Sequence, residues 1–200
     1  MSEIADPRVQ KSRQSIMEAA VDVLLEKGWP GVNISAICTR ARLSRSTFYD
    51  HFQFAEEPVW EYALEKFFQK HANLVLGPVK LDPDSLLLGG KPLSWPLFDH
   101  VWENRELYQY ILSPEGGVLW PKVLDRVAQI SRRLHEPIRT MATQEQDPEL
   151  IATYLSGAIL GVLRWWVNAP VPPTPVSMAY WFSAMAAPGL LSLQGISDAD

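Results

Sequence analysis

The side chains best suited to chemistry cluster between Arg40 and Phe52, in the run RARLSRSTFYDHF. Cations stand at Arg40, Arg42 and Arg45, hydroxyls at Ser44, Ser46 and Thr47, and a phenol and an imidazole at Tyr49 and His51. Donors of this kind grip phosphodiester oxygens, and contacts of that sort set register without reading bases. An arginine at the start of a helix can also pair with guanine O6 and N7, which discriminates bases by about 1–3 kcal/mol. Taken singly, Tyr49 and His51 would be ordinary residues of an amphipathic surface. Their joint spacing with Thr47 and Phe48 reverses those odds. Elsewhere the chain carries no nucleophile motif, no phosphate-binding glycine loop and no paired carboxylates, so no catalytic residue and no enzyme activity is expected.

Short helices must hold this run in place. Ile16, Ala19, Ala20, Val23 and Leu24 recur on one helical face, Gly28 can end that helix, and Pro30 prevents its continuation. Asn33 is suited to cap a second helix from Ile34 to Ala41, with Ser35 behind it, and its free N–H groups could meet a phosphate. Ser44 is suited to cap a third from Arg45 to His51, with Phe48 and Phe52 inward and Arg45, Ser46 and Thr47 outward. Small outward residues let a helix sink into a major groove. Two helices this short are marginal alone and need the first helix to pack on. Arg8, Lys11 and Arg13 are expected on a disordered arm that adds phosphate contacts.

A net charge of −5 over 200 residues is unpromising for a partner of a polyanion, but its distribution is uneven. Pro7 to Ala55 carries seven Lys/Arg against four Asp/Glu, and residues 56–200 carry eleven against seventeen. A basic head on an acidic body permits local contact with phosphate. The single cysteine, Cys38, excludes an internal disulfide, suggests a reducing compartment and reads as a buried apolar filler. The first fifteen residues hold no apolar signal-peptide core, so a cytoplasmic protein is expected. The histidines show no metal-ligand spacing, and no metal or cofactor is expected.

Beyond the head, a helix is expected from about Glu56 to Val75, then a loop from Leu76 to Ser94. One or two short helices should follow from Trp95, and a long one with Pro121 near its start. Asp147, Pro148 and Glu149 start the strongest helix, and a last one runs from Val176 until Pro188-Gly189 ends or kinks it. No segment alternates as a strand, so the fold class is all-α. From Trp165 to Ser197 there is no charged residue, and Val176 to Leu193 just reaches membrane-helix length. Its serines, its Pro-Gly pair and the lack of basic flanks favour a helix pair buried at a subunit interface over membrane insertion.

ISAICTRARLSRSTFYDHF, preceded by SIMEAAVDVLLEKGW, resembles the DNA-binding domain of the tetracycline-repressor (TetR) family over about the first 55 residues. The first helix ending in Gly-aromatic, the Ile-x-x-x-x-Arg-Ala turn and Thr-aromatic-Tyr-x-His-Phe carry the likeness. The rest matches in layout only. The resemblance implies residues 1–55 as a helix-turn-helix DNA-binding domain and 56–200 as a helical regulatory and dimerisation domain. It implies backbone contacts from Thr47, Tyr49 and His51, and a homodimer on a pseudo-palindromic double-stranded operator. Three positions depart from the family pattern. Arg42 stands where the turn usually has glycine, Ala55 where lysine is common, and Asp50 places an acid near the contact face.

In the body, Trp95, Phe98, Trp102, Tyr108, Tyr110, Trp120, Tyr154 and Trp165 form a candidate site for a small apolar or aromatic ligand. Any one of these rings could equally be core. Trp165 and Trp166 point about 100° apart, so at most one faces a pocket. The expected function is a ligand-responsive repressor. Two other readings remain open: a DNA binder whose body docks a protein, and a helical ligand-binding protein with weakened DNA affinity.

Overall fold

A computed structural model describes residues 6–72, 87–88, 91–140, 142–144, 146–193 and 195. The chain divides into two compact units, residues 1–67 with 106–119, and 68–105 with 120–200.

In the first unit, α1 spans Pro7–Lys27, α2 Ile34–Ala41 and α3 Arg45–Tyr49, and α4 begins at Glu57 and continues to Lys70. The expectation of a disordered arm is overturned, because Arg8, Lys11 and Arg13 lie within α1. The reason is local: Asp6 accepts from the Arg8 N–H at 2.9 Å, and Pro7 supplies a first helical residue with preset φ. Gly28, at φ 65°, ends α1 and returns its N–H to the Leu24 carbonyl at 2.8 Å. Ile16, Leu24, Ile37 and Phe48 are wholly buried where α1, α2 and α3 meet. Arg40 ties α2 to α1 through Asp22 and Glu26. Glu57 accepts from the N–H groups of Gln53 (2.6 Å) and Phe54 (3.1 Å), so this acid, in the first turn of α4, fastens the turn that precedes the helix. Part of α6 (Arg105–Ile111) belongs to the same unit, where the Trp29 indole donates to the Tyr110 carbonyl at 2.8 Å.

The second unit is built from α5 (Trp95–Glu103), α7 (Trp120–Leu134), α8 (Glu136–Arg139), α9 (Pro148–Val167) and α10 (Pro175–Leu193). Helix α9 lies against α7, and α10 lies against α5. The long helix expected after Pro121 breaks at His135, where the ring bonds the Ser131 carbonyl at 2.7 Å. Asp147 caps α9 by accepting from Glu149 N–H at 2.8 Å. At the other end, the Arg105 guanidinium donates to the carbonyls of Val167 (2.9 Å) and Ala169 (3.1 Å), a cation at a helix C-terminus. Pro188 does not end α10, which continues to Leu193. A short ladder, Leu87–Leu88 antiparallel to Lys91–Pro92, lies where a loop was expected. The expected end of α4 at Val75 and most of the 76–94 loop fall outside the described residues.

Both α9 and α10 are long and apolar enough to cross a membrane by length and composition alone. Their packing on α7 and α5 uses part of that apolar surface inside a helical bundle.

Candidate nucleic-acid interface

The turn between α2 and α3 is made by three local devices. Asn33 Oδ1 accepts from the Ala36 N–H at 2.9 Å and starts α2. Arg42 ends it in the left-handed region, at φ 56° and ψ 41°, among the described residues the one non-glycine with positive φ. Glycine enters that region freely, whereas a residue with a Cβ is strained there by about 1 kcal/mol. Ser44 Oγ accepts from the Thr47 N–H at 3.1 Å and starts α3. The same oxygen lies 2.7 Å from Ser46 Oγ and 2.9 Å from Thr47 Oγ1, so three hydroxyls gather at the α3 N-terminus. Phe48 and Phe52 turn inward and fix the helix to the core.

What faces outward is polar and largely uncommitted. Arg42, Ser44, Arg45, Ser46, Tyr49 and Asp50 are exposed, Tyr49 at 59%. Neither Arg42 nor Arg45 has a carboxylate within ion-pair distance among the described residues, unlike Arg40. Asp50 has no cation partner there either, so its charge subtracts from the surface potential. Thr47 and His51 are half-buried, and His51 Nε2 lies 2.7 Å from Ser12 Oγ on α1. Arg13 lies over the Phe52 ring at 5.4 Å and pairs with Glu61 at 2.8 Å. Ser12 and Arg13 therefore tie α1 to the segment following α3, a link between residues 39 apart that no local pattern announces. Cys38 is buried, its Sγ 3.7 Å from the Ser44 carbonyl, and burial pushes its thiol up.

The aromatic residues proposed for a ligand do not share one surroundings. Tyr108 and Tyr110 belong to the first unit, where Tyr108 is buried and its phenol is held far above the usual range by loss of water. Tyr154 and Trp165 are 58% and 59% exposed on α9. Trp95 is half-buried under the Lys91 ammonium at 3.6 Å, and its indole N–H is buried without a hydrogen-bond partner. Trp120 is half-buried at the start of α7. Phe98 and Trp102 do converge, on Trp166: ring centroids are 5.4 Å apart edge-on and 5.5 Å apart stacked. Phe182 of α10 joins Phe98 at 6.2 Å. Trp166, absent from the expected set, is the centre of this cluster. Its position seven residues after the buried Ile159 and three after Leu163 marks the inner face of α9, a signal that selects it over Trp165. Among the described residues no three His, Cys, Asp or Glu side chains gather as metal ligands.

Comparison with known proteins agrees with this geometry. Residues 16–53 match the family described as bacterial regulatory proteins, tetR family, and residues 93–187 match a transcriptional regulator C-terminal region. An uncharacterized HTH-type transcriptional regulator of Bacillus subtilis, YxbF, is 42% identical over 182 residues, 88% of this chain. The chain spans only 45% of that relative's length. A second B. subtilis regulator of the same description, YdeS, is 27% identical over 79% of this chain and 70% of its own length. A TetR transcriptional regulator from Streptococcus agalactiae shares the fold, with a TM-score of 0.59 at 19% identity over 92% of this chain and 97% of that one. The chain belongs to the TetR family of transcriptional regulators.

Proposed function

We propose that the protein is a ligand-responsive repressor, acting in the cytoplasm and without catalysis, that binds a pseudo-palindromic operator as a homodimer. The observation that carries this reading is the outward face of α3. Arg45 and Ser46 stand exposed at the start of a capped helix and Tyr49 at its end, with Arg42 nearby and no carboxylate holding either arginine. Arg45 would read a guanine edge, while Arg42, Ser44, Thr47, Tyr49 and the α2 N-terminus behind Asn33 and Ser35 would hold the backbone. Residues 1–55 would act as the DNA-binding domain and 56–200 as the regulatory and dimerisation domain.

The homodimer reading is supported by the exposed apolar faces of α9 and α10. On α9, Leu150, Tyr154 and Trp165 line up with Gly157 and Gly161, where an added Cβ would meet nothing within 4 Å. On α10, Val176, Tyr180, Trp181 and Met185 are exposed, Met185 at 64%. Surface this apolar is normally covered by another protein face. Twofold pairing would present two α3 helices to successive major grooves. The cluster of Phe98, Trp102 and Trp166 is the best candidate to border an apolar or aromatic ligand. Release of DNA requires that the ligand prefer a conformer unsuited to the operator.

Fluorescence-anisotropy titration with the DNA upstream of the protein's own gene tests the reading, with Arg45→Ala and Tyr49→Phe as controls. Saturable binding at paired half-sites, weakened by Arg45→Ala, is the expected result. A dimer neutralising about six phosphates should give a log–log salt slope near −5. No preference over scrambled DNA, in a selection from random sequences as well, would favour a head whose DNA affinity has been lost, consistent with the unpaired Asp50.

A further inference from the structure

The outward side of α9 is ordered along its length as well as apolar. Leu150, Tyr154, Gly157, Gly161, Arg164 and Asn168 are all exposed and recur at alternating intervals of four and three. That spacing is a seam, the stripe along which one helix lies against another. Ile159, Leu163 and Trp166 are buried inside the unit, so the seam is a separate, outward stripe. An added Cβ at Gly157 or Gly161 meets nothing within 4 Å, so no neighbour inside the chain requires their smallness. Glycine in a helix interior is destabilising, and a second backbone approaching from outside gives it a use. From Leu150 to Leu193, across both apolar helices, the single charged residue is Arg164. It has no ion pair among the described residues.

We infer that α9 pairs with its own copy in the antiparallel direction, crossing at Gly157 and Gly161, and that the Arg164 guanidinium sets the register by lying on the ring of the partner subunit's Tyr154. The inference rests on the homodimer reading above. A twofold axis can pair the seam with itself in two directions. In the parallel one each residue meets its own copy, so two guanidiniums would face each other with no carboxylate on these helices to separate them. Like charges set opposite one another in an interface are strongly disfavoured. The antiparallel direction reverses the order. A crossing centred midway between the glycines sets Gly157 against Gly161, Tyr154 against Arg164 and Leu150 against Asn168. The two guanidiniums then stand about 15 Å apart along the axis, where salt screens exposed charges from each other. An aromatic face attracts a guanidinium and needs no carboxylate to receive it. Tyr154 is exposed and engages no other ring or cation among the described residues. A slip of one turn in either direction would set Arg164 against Leu150 or Gly157 and lose both contacts.

Two measurements on the whole chain test it. Cross-linking uses a Cys38→Ser background, since Cys38 is the sole cysteine. At concentrations where sedimentation shows a dimer, the double variant Tyr154→Cys/Arg164→Cys should form a disulfide-linked dimer under mild oxidation. Within one helix those positions are about 15 Å apart, too far for a disulfide, so the bond can form only between chains. Neither single-cysteine variant should link to itself. Sedimentation equilibrium of Arg164→Gln, Tyr154→Leu and their combination reads the contact itself. Each change should raise the dimer Kd about fivefold, and together they should raise it by clearly less than the product of the two. Tyr154→Phe keeps the ring face and should leave the Kd unchanged. A single-cysteine variant that links to itself, or a double variant that does not link, overturns the inference. Effects of Arg164→Gln and Tyr154→Leu that simply multiply also overturn it, by leaving Arg164 in water at the rim. In each of those cases the dimer stands. A monomeric wild type removes the homodimer reading and the inference with it.

Discussion

Two surfaces of this protein are exposed for opposite chemical reasons. The outward face of α3 is hydroxyl and guanidinium on a scaffold held by caps a few residues away. The outward faces of α9 and α10 are apolar, with Tyr154, Trp165, Trp181 and Met185 in solvent and no charged residue from Trp165 to Leu193. Polar donors at a helix start need no cover, because water satisfies them until a phosphate replaces it. An apolar stripe in water is a standing cost that association removes. The proposed function uses this contrast, with a polyanion for the first face and a second copy of the chain for the second.

Four substitutions break or sharpen that contrast, in descending order of effect. Phe48→Ala should destabilise the first unit by about 3–5 kcal/mol, because it empties a fully buried aromatic site beneath α3. Urea unfolding followed by tryptophan fluorescence would measure it, and an effect under about 1 kcal/mol would contradict the packing described. Trp165→Glu should weaken self-association by about 2 kcal/mol, roughly thirtyfold in Kd, without loss of helicity. Sedimentation equilibrium against circular dichroism separates the two, and an unchanged dimer would place the interface elsewhere. Arg45→Ala should reduce operator affinity by about 1–3 kcal/mol and relax preference at one base pair per half-site, read by anisotropy on single-base variants. It should leave stability and dimerisation unaltered, which is what distinguishes the polar face from the apolar one.

The smallest effect has two signs. Arg42→Gly should raise stability by about 1 kcal/mol, because glycine adopts φ 56° without strain. The same change should weaken DNA binding and lower the salt slope, since it deletes an exposed cation. A variant that gains stability and keeps full affinity would show that Arg42 has no part in the contact.

Much of the head was legible because its determinants are close in sequence. Asn33 and Ser44 cap helices three residues ahead of their acceptance, and Phe48 and Phe52 face inward at a four-residue spacing. The start of α1 was equally local, in Asp6-Pro7, and the density of charge around it obscured a signal that was present. Pro188 does not end α10: a proline deprives a helix of one donor, and the flanking turns hold without it. In the body, adjacent tryptophans carried no rule for which faces inward until the phase of Ile159 and Leu163 was known.

By itself, the sequence determined the helical class, the capped turn, the small polar face of α3, and a basic head on an acidic body. Each rests on contacts within one or two helical turns or on composition. Tertiary structure decided that Trp166 and not Trp165 is the buried ring, that Tyr108 and Tyr110 join the first unit, and that Ser12 reaches His51. Those outcomes depend on which helices lie against each other. A hydrogen bond across 39 residues is decided by packing geometry that no local periodicity encodes, and the phase that favours Trp166 counts only once Ile159 and Leu163 are known to face a neighbouring helix.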